Sequence, residues 1–490
     1  MKLEVKSLKL AAGRPVAILH PHTAKLLNVH VDERIVIQNA EDEKVISVID
    51  TALLSKEHEI ILSEEILSLL KLKEDDYVDV MPARRPVAAM YIRKKLDGCK
   101  LCRKEIDEII KDIVDNKLTE AEIAYFVSAM YKEGMSLEET INLTESIVQH
   151  GRKLNLKSKI IADKHGIGGV AGNRTTPIIT SICAAAGLIM PKTSSRAITS
   201  AGGTADVIET IARVEFTAEE MREIISKAGA CIIWGGALGL APADDKIIQV
   251  ERLLHLDPQS QLIASILAKK LSVGATHIVL DIPYDKNAKV NKKEAFELEE
   301  KFQKVAKHFN LKIKTIVNKI EEPVGNGIGP TLEMFDVIAV LQQKENRPLD
   351  LEKRSVFLAA QLLELTGKAK KGKGEKLAEE ILKNKKAYDK FLQIIKAQDG
   401  DINRLKIAKF KTDFFSKKAG TINEINGKDI MSIVRTAGAP SDKSAGAYIY
   451  KHLRTKVKKG EKIITLYAEN IEKMKNAEEL YLALQPIKIK

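Results

Sequence analysis

The sequence predicts a multidomain α/β protein, and three observations carry that expectation. Its 490 residues are 44% hydrophobic and 30% charged, an ordinary globular composition with length for about three domains. The hydrophobic period changes twice, from short β-branched runs to helical spacing near 87, then to alternating strands and helices near 157. Two loops rich in glycine and hydroxyls fall between a strand-like and a helix-like stretch, where α/β proteins place binding sites. The expected architecture is an N-terminal β-barrel-like domain, an all-helical domain, a large α/β domain with a mostly parallel central sheet, and a C-terminal α+β segment.

Residues 1–85 form the β-rich unit. Arg34-Ile-Val-Ile37, Lys44-Val-Ile-Ser-Val-Ile49, Glu59-Ile-Ile-Leu62 and Tyr77-Val-Asp-Val80 are strand-like, and Gly13-Arg-Pro15, 39–42 and Asp75-Asp76 supply turns. Short helical patterns sit near 22–27 and 63–70, and Pro82-Ala-Arg-Arg-Pro86 marks a boundary. Residues 86–156, joined by about 242–272, read as the helical domain. Thr119-Glu-Ala-Glu122 and Ser136-Leu-Glu-Glu139 are capping boxes, and Ile123, Phe126, Val127 and Met130 share one helical face. Residues 157–241 and 273–408 form the α/β domain, with strands expected at 159–162, 189–191, 231–234, 276–282 and 311–318. Helices are expected between them at 176–186, 205–211 and 218–228, and 264–271 is helical. The run 367–376 is expected to be a flexible basic loop, and 409–490 the α+β segment.

Composition excludes several classes. No apolar run reaches the roughly 18 residues a membrane span needs, and Lys2, Glu4, Lys6 and Lys9 interrupt any signal-peptide core. Four cysteines cannot build a disulfide scaffold and fit a reducing cytosol, so a cytoplasmic location is expected. Cys99-Lys-Leu-Cys102 lacks the second pair of a zinc site. The net charge of +12 (79 Lys and Arg against 67 Asp and Glu) suits phosphate esters as well as nucleic acid, and 4% aromatics offers few stacking platforms. Nucleic acid is therefore not expected as a partner. Gly367-Lys-Ala-Lys-Lys-Gly372-Lys373-Gly374 fails the P-loop pattern, because no Ser or Thr follows Lys373.

The first dense loop, Asp163-Lys-His-Gly-Ile-Gly-Gly-Val-Ala-Gly-Asn173, offers flexible backbone N–H groups and the full charge of Lys164. A tight connection without a ligand would need the same glycines. His165 alone reads as a hydrogen-bonded structural residue. The second loop, Ser194 to Thr204, gathers five hydroxyls, Arg196 and two glycines, a set of donors suited to phosphate.

The pattern Ser194-Ser-Arg-Ala-Ile-x-x-Ala-Gly-Gly-Thr204-x-Asp206-x-Ile208-Glu209 resembles the signature of the thymidine/pyrimidine nucleoside phosphorylase family. The first loop resembles that family's Lys-His-x-x-Gly-Gly-Val phosphate loop. Leu256-Asp257-Pro-Gln-Ser-Gln-Leu-Ile-Ala-Ser265-Ile-Leu-Ala-Lys269-Lys270 resembles its base-site helix. The likeness runs from about 87 to the C-terminus, and the prefix resembles the extension of the archaeal AMP phosphorylase branch. Nucleoside-specific relatives usually have His at the position of Ser200, and Ser or Thr at Gly166 and Ile167. Their pyrimidine-holding Tyr and Arg have no clear equivalents near Ile248–Arg252.

The resemblance implies phosphorolysis of nucleoside 5′-monophosphates: AMP and phosphate give adenine and ribose 1,5-bisphosphate, with CMP and UMP as further substrates. It implies that Lys164, Gly168, Ser194 and Thr204 hold the attacking phosphate. Gly169, Ser195, Arg196, Ala197, Ile198, Thr199, Ser200, Thr204, Ser265 and Lys289 would hold AMP, with Lys269 on the base side. Asp257 would be the proton donor, which requires burial or a nearby negative charge to favour its acid form. On chemistry alone Asp257 is equally a helix cap and Lys289 a solvated loop lysine. No metal or cofactor is expected, phosphate being a co-substrate. A homodimer through the helical domain is implied, with the prefix free to join dimers into a larger assembly. Three rivals remain: a nucleoside phosphorylase, a magnesium-dependent phosphoribosyltransferase of the same fold, and a non-catalytic RNA-binding protein.

Overall fold

The computed structural model describes residues 1–9, 15–197, 200–286 and 288–490, so Ile198 and Thr199 lie outside the described residues. Two compact units result: Met1–Gly151 with Ala241–Ser265, and Arg152–Leu240 with Ile266–Lys490.

In the first unit, β1 (Lys2–Ser7), β2 (Val16–Leu19), β3 (Arg34–Gln38), β4 (Lys44–Thr51), β5 (Glu59–Leu62) and β6 (Tyr77–Pro82) form a closed barrel. Their order is β1-β5-β2-β4-β3-β6, and antiparallel pairs such as Leu3↔Val78 close it. Alternation explains the interior: Leu3 and Val5, Ile35 and Ile37, and Val78 and Val80 point into one core. Closure leaves no strand edge exposed.

Helices Ala88–Leu96, Arg103–Val114, Glu120–Glu133, Leu137–Gln149 and Pro242–Leu254 follow in the same unit. Both expected capping boxes form, Thr119 with Glu122 and Ser136 with Glu139. The Arg34 guanidinium of β3 meets Glu122, tying barrel to helices. Ile123, Phe126, Val127 and Met130 are buried as their spacing predicts. Cys99 and Cys102 are exposed and not bridged.

Glu139 does more than cap. It accepts the backbone N–H of Ser136 and Leu101 and pairs with the Lys95 ammonium at 2.9 Å, both side chains 3% exposed. Burial pushes its carboxyl up, but these donors outweigh burial and hold it below the usual range. Lys95→Met leaves that carboxylate without its cation, and a loss of about 3 kcal/mol is expected in urea unfolding.

In the second unit, β7 (Ala162–Gly166), β8 (Met190–Ser194), β9 (Ala230–Trp234), β10 (His277–Tyr284) and β11 (Lys312–Lys319) are all parallel to their neighbours. They form sheets β11-β10-β7 and β8-β9, linked by a single parallel bridge between Ile161 and Ile189. Helices Thr175–Ala185, Thr204–Ile208 and Ala218–Ala228 lie between strands in sequence and pack into one core. The first strand starts three residues later than its apolar pattern predicts. Asp163 and Lys164 sit inside it, because the fully buried Asp163 is met by Lys270 at 2.7 Å and Lys192 at 3.4 Å. Buried charges paired in this way escape any hydrophobicity reading.

Helices Pro330–Leu341, Leu349–Leu365, Gly374–Lys383 and Lys386–Ala397 complete this part. The basic loop is shorter than expected: Gly374 already starts a helix, and Glu364 accepts the N–H groups of Gly372 and Gly374.

The C-terminal α+β segment holds β13 (Phe410–Phe415), β14 (Gly420–Ile425), β15 (Gly446–Ile449), β16 (Lys456–Val457), β17 (Lys462–Ala468) and β18 (Ile487–Ile489), after the short β12 (Gly327–Ile328). One sheet runs β12-β15-β17-β13, so it takes its edge strand from the preceding part of the chain. The other runs β16-β14-β18. No helix among the described residues is long and apolar enough to cross a membrane.

Candidate functional site

The site is built at the C-terminal ends of β7 and β8, as the parallel topology directs. Gly168, Gly169 and Gly172, at φ +87°, +84° and +65°, let the chain after β7 turn back on itself. At Gly169 a side chain would strike the backbone of Lys289; at Gly172 it would strike the Val324 carbonyl. The Val324 N–H donates to Ala171, and its carbonyl accepts from Asn173, so the loop is pinned from both sides.

The two expected loops converge. Lys164, Gly168, Gly169, Arg174, Ser195, Ser200 and Gly202 to Thr204 line one cleft of about 160 Å³, with Glu333 and Met431. The Lys164 ammonium is buried, donates to the Thr175 hydroxyl at 3.0 Å and lies 4.0 Å from Asp281. Burial lowers it to about 8, with Asp281 working the other way. Asp281 is itself held by Arg354 at 2.6 Å.

Beneath lies a basic core. Lys192 is pushed down to about 7, chiefly by burial, while its ammonium donates to the Thr193 carbonyl. His165 is held well below its usual value by burial and by Lys270, Lys192 and Lys164. Among the described residues its buried Nδ1 has no hydrogen-bond partner, where the sequence reading expects a hydrogen-bonded histidine.

The second loop is fixed by carboxylates. Asp206 accepts from the N–H of Ala197 at 2.7 Å and of Gly203 at 2.9 Å, and Lys443 donates to it at 3.0 Å. Gly203 must be glycine, since a Cβ there would strike the Ser195 carbonyl and the Arg196 and Ala197 backbone. Here one expectation is corrected. Arg196 is not an open anion clamp: it makes a two-pronged bond to Glu209, 2.7 Å on each arm, and a third to Glu215 at 2.8 Å. Its guanidinium also lies 4.7 Å over the Trp234 ring and is absent from the cleft lining. The Arg196 bond and Lys443 hold the Glu209 carboxyl at about 2. Arg196 therefore positions the loop.

The remaining expected residues fall in several places. Ser194 is buried at the end of β8 with a hydroxyl that lacks a hydrogen-bond partner among the described residues. Lys289 is exposed, and its backbone, packed on Gly169, is what approaches the loop. Lys269 is half-buried on the helix Gln259–Ser272 beside Lys270. Ser265 and Asp257 belong to the first unit. There the Ser265 hydroxyl donates to the buried Asp244, which also accepts from Gln261. Asp257 is exposed, so the burial called for by the sequence reading is not built into that unit.

Sequence reasoning missed Arg174, Glu333, Asp281 and Arg354. Arg174 was nearest to discovery, standing one residue past the glycine loop at the start of a helix. The others reach the site from distant elements, without local signal.

Known proteins now place the chain. Residues 89–151 match the glycosyl transferase family helical bundle domain, and 158–388 its a/b domain. Residues 421–488 match the pyrimidine nucleoside phosphorylase C-terminal domain. An AMP phosphorylase of Methanocaldococcus jannaschii is 40% identical over 93% of this chain and 92% of its own. One from Thermococcus kodakarensis is 38% identical over 100% and 98%; one from Methanococcoides burtonii is 40% identical over 97% and 95%. The crystal structure of anthranilate phosphoribosyltransferase from Thermus thermophilus superposes with a TM-score of 0.53 at 18% identity. It covers 63% of this chain and 99% of that one, a likeness of fold. With its two phosphate-suited loops meeting in one cleft and these relatives alike along nearly their whole length, the chain belongs to the AMP phosphorylase family.

Proposed function

We propose that this protein carries out phosphorolysis of nucleoside 5′-monophosphates, converting AMP and phosphate to adenine and ribose 1,5-bisphosphate. The observation that carries the reading is the convergence of Lys164, the glycine loop, Ser195 and Ser200 to Thr204 on one polar cleft, in a chain alike end to end to AMP phosphorylases. A phosphate oxygen attacks C1′, the glycosidic bond breaks, and its electron pair leaves with the base, which takes up a proton. The buried ammonium of Lys164 is suited to the nucleophile's charge, because a cation removed from water acts strongly on an anion beside it. Asp257 is proposed as the proton source. The same reading extends to CMP and UMP as substrates, to a cytoplasmic location, and to a homo-oligomer joined through the helical domain.

A bound 5′-phosphate distinguishes this reading from a nucleoside phosphorylase. Two or three charge-assisted hydrogen bonds at about 1.5–3 kcal/mol each favour AMP over adenosine by at least roughly 10²–10³-fold in kcat/KM. Base release from AMP and from adenosine, with and without phosphate, measures this directly. Equal efficiencies would restore the nucleoside reading.

A further inference from the structure

We infer that Arg174 is the cation that receives the substrate's 5′-phosphate and so sets the preference for nucleotide over nucleoside. The inference rests on the phosphorolysis reading and deepens it. That reaction brings two phosphate groups together, the co-substrate and the 5′-phosphate. The cleft wall carries two cations, Lys164 from β7 and Arg174 from the start of the helix Thr175–Ala185. Lys164 lies on the glycine loop side, its ammonium 3.2 Å from where a Cβ on Gly166 would stand, and it donates to Thr175 at the helix start. Arg174 is directed at the other loop: one Nη donates to the Thr204 hydroxyl and the other to the Gly202 carbonyl, both at 2.8 Å.

The guanidinium is held rather than consumed. Glu333 takes Nε at 2.7 Å and one Nη at 2.6 Å, fixing the plane of the group from behind. Those four contacts leave one of the five N–H groups of an arginine over, on the nitrogen that reaches Thr204. Thr204 gains from the same contact. Its oxygen accepts from Arg174, so its own proton is turned toward a further acceptor, and it stands in the cleft wall with Ser200. A guanidinium edge and the hydroxyl it orients form a recognition set for phosphate oxygens, with the Ser200 hydroxyl beside them donating to the Gly202 carbonyl. Arg196 cannot compete for this role, because three carboxylates and the Trp234 face already surround it.

The test uses the full-length protein and steady-state kinetics with AMP, adenosine and inorganic phosphate each varied. Arg174→Gln is expected to lower kcat/KM for AMP about 100-fold while changing adenosine turnover less than threefold, with KM for phosphate unmoved. Arg174→Lys, which keeps charge but not the fork, is expected to recover about tenfold of the loss. Because Arg174→Gln leaves the buried Glu333 without its partner, Arg174→Gln with Glu333→Gln serves as the control and is expected to show the same substrate split. Trp234, the one tryptophan of the chain, reports through its fluorescence whether the loop remains folded. Equal losses on AMP and adenosine in the control variant would overturn the inference, as would a rise in KM for phosphate in place of AMP. Either result leaves the phosphorolysis reading standing. An unmutated protein that does not distinguish AMP from adenosine removes that reading itself.

Discussion

Replacing Lys164 with alanine is expected to lower kcat/KM for phosphorolysis by about 10³-fold, the scale for losing a preorganised charge at a reacting anion. The ammonium is buried and faces Asp281 at 4.0 Å. Its removal also leaves Asp281 with Arg354 alone. The unmutated protein carries a pH signature of the same group. Burial sets Lys164 at about 8, so the cation is present below that pH and is lost as pH rises through it. The expected kcat/KM for phosphate therefore falls tenfold per unit on the alkaline side. A profile flat from pH 7 to 10 would show that this ammonium does not serve the nucleophile.

Asp257→Asn is expected to lower kcat by roughly 10²–10⁴ while leaving AMP binding nearly intact, as for loss of a general acid. An amide keeps the shape and much of the hydrogen bonding but cannot deliver a proton to the departing base. Asp257 is exposed in its unit. Binding is followed by Trp234 fluorescence and turnover by base release. Unchanged kcat would strike Asp257 from the mechanism.

What could be read from the sequence follows from the range of the interactions involved. Capping boxes at Thr119 and Ser136 span four residues each, and both formed. Barrel strands carry their short β-branched runs within themselves, so runs such as 34–37 and 77–80 could be read as strands in advance. The glycines after β7 announce themselves because a positive φ demands them. Charge pairing across the fold leaves no such trace. Asp163 looked like the start of a loop because Lys192 and Lys270, which neutralise it, lie far along the chain. Arg196 looked like a free donor because Glu209, Glu215 and their arrangement around it are set by tertiary structure. Composition identified a loop suited to anions, but not which guanidinium in it was already engaged.

The two-residue strand β12 bears on how the molecule is made. Gly327–Ile328 is synthesised well before Gly446–Ile449, the partner that completes its hydrogen bonds. Lys443, which anchors Asp206 and through it Ala197 and Gly203, emerges at the same late stage. A nascent chain can thus assemble the parallel strands early, yet its substrate loop gains its last anchor only when the C-terminal sheet arrives. Translation order itself keeps a half-made polypeptide from holding a finished cleft, because a ribosome stalled before residue 443 would display Asp206 without its Lys443 partner.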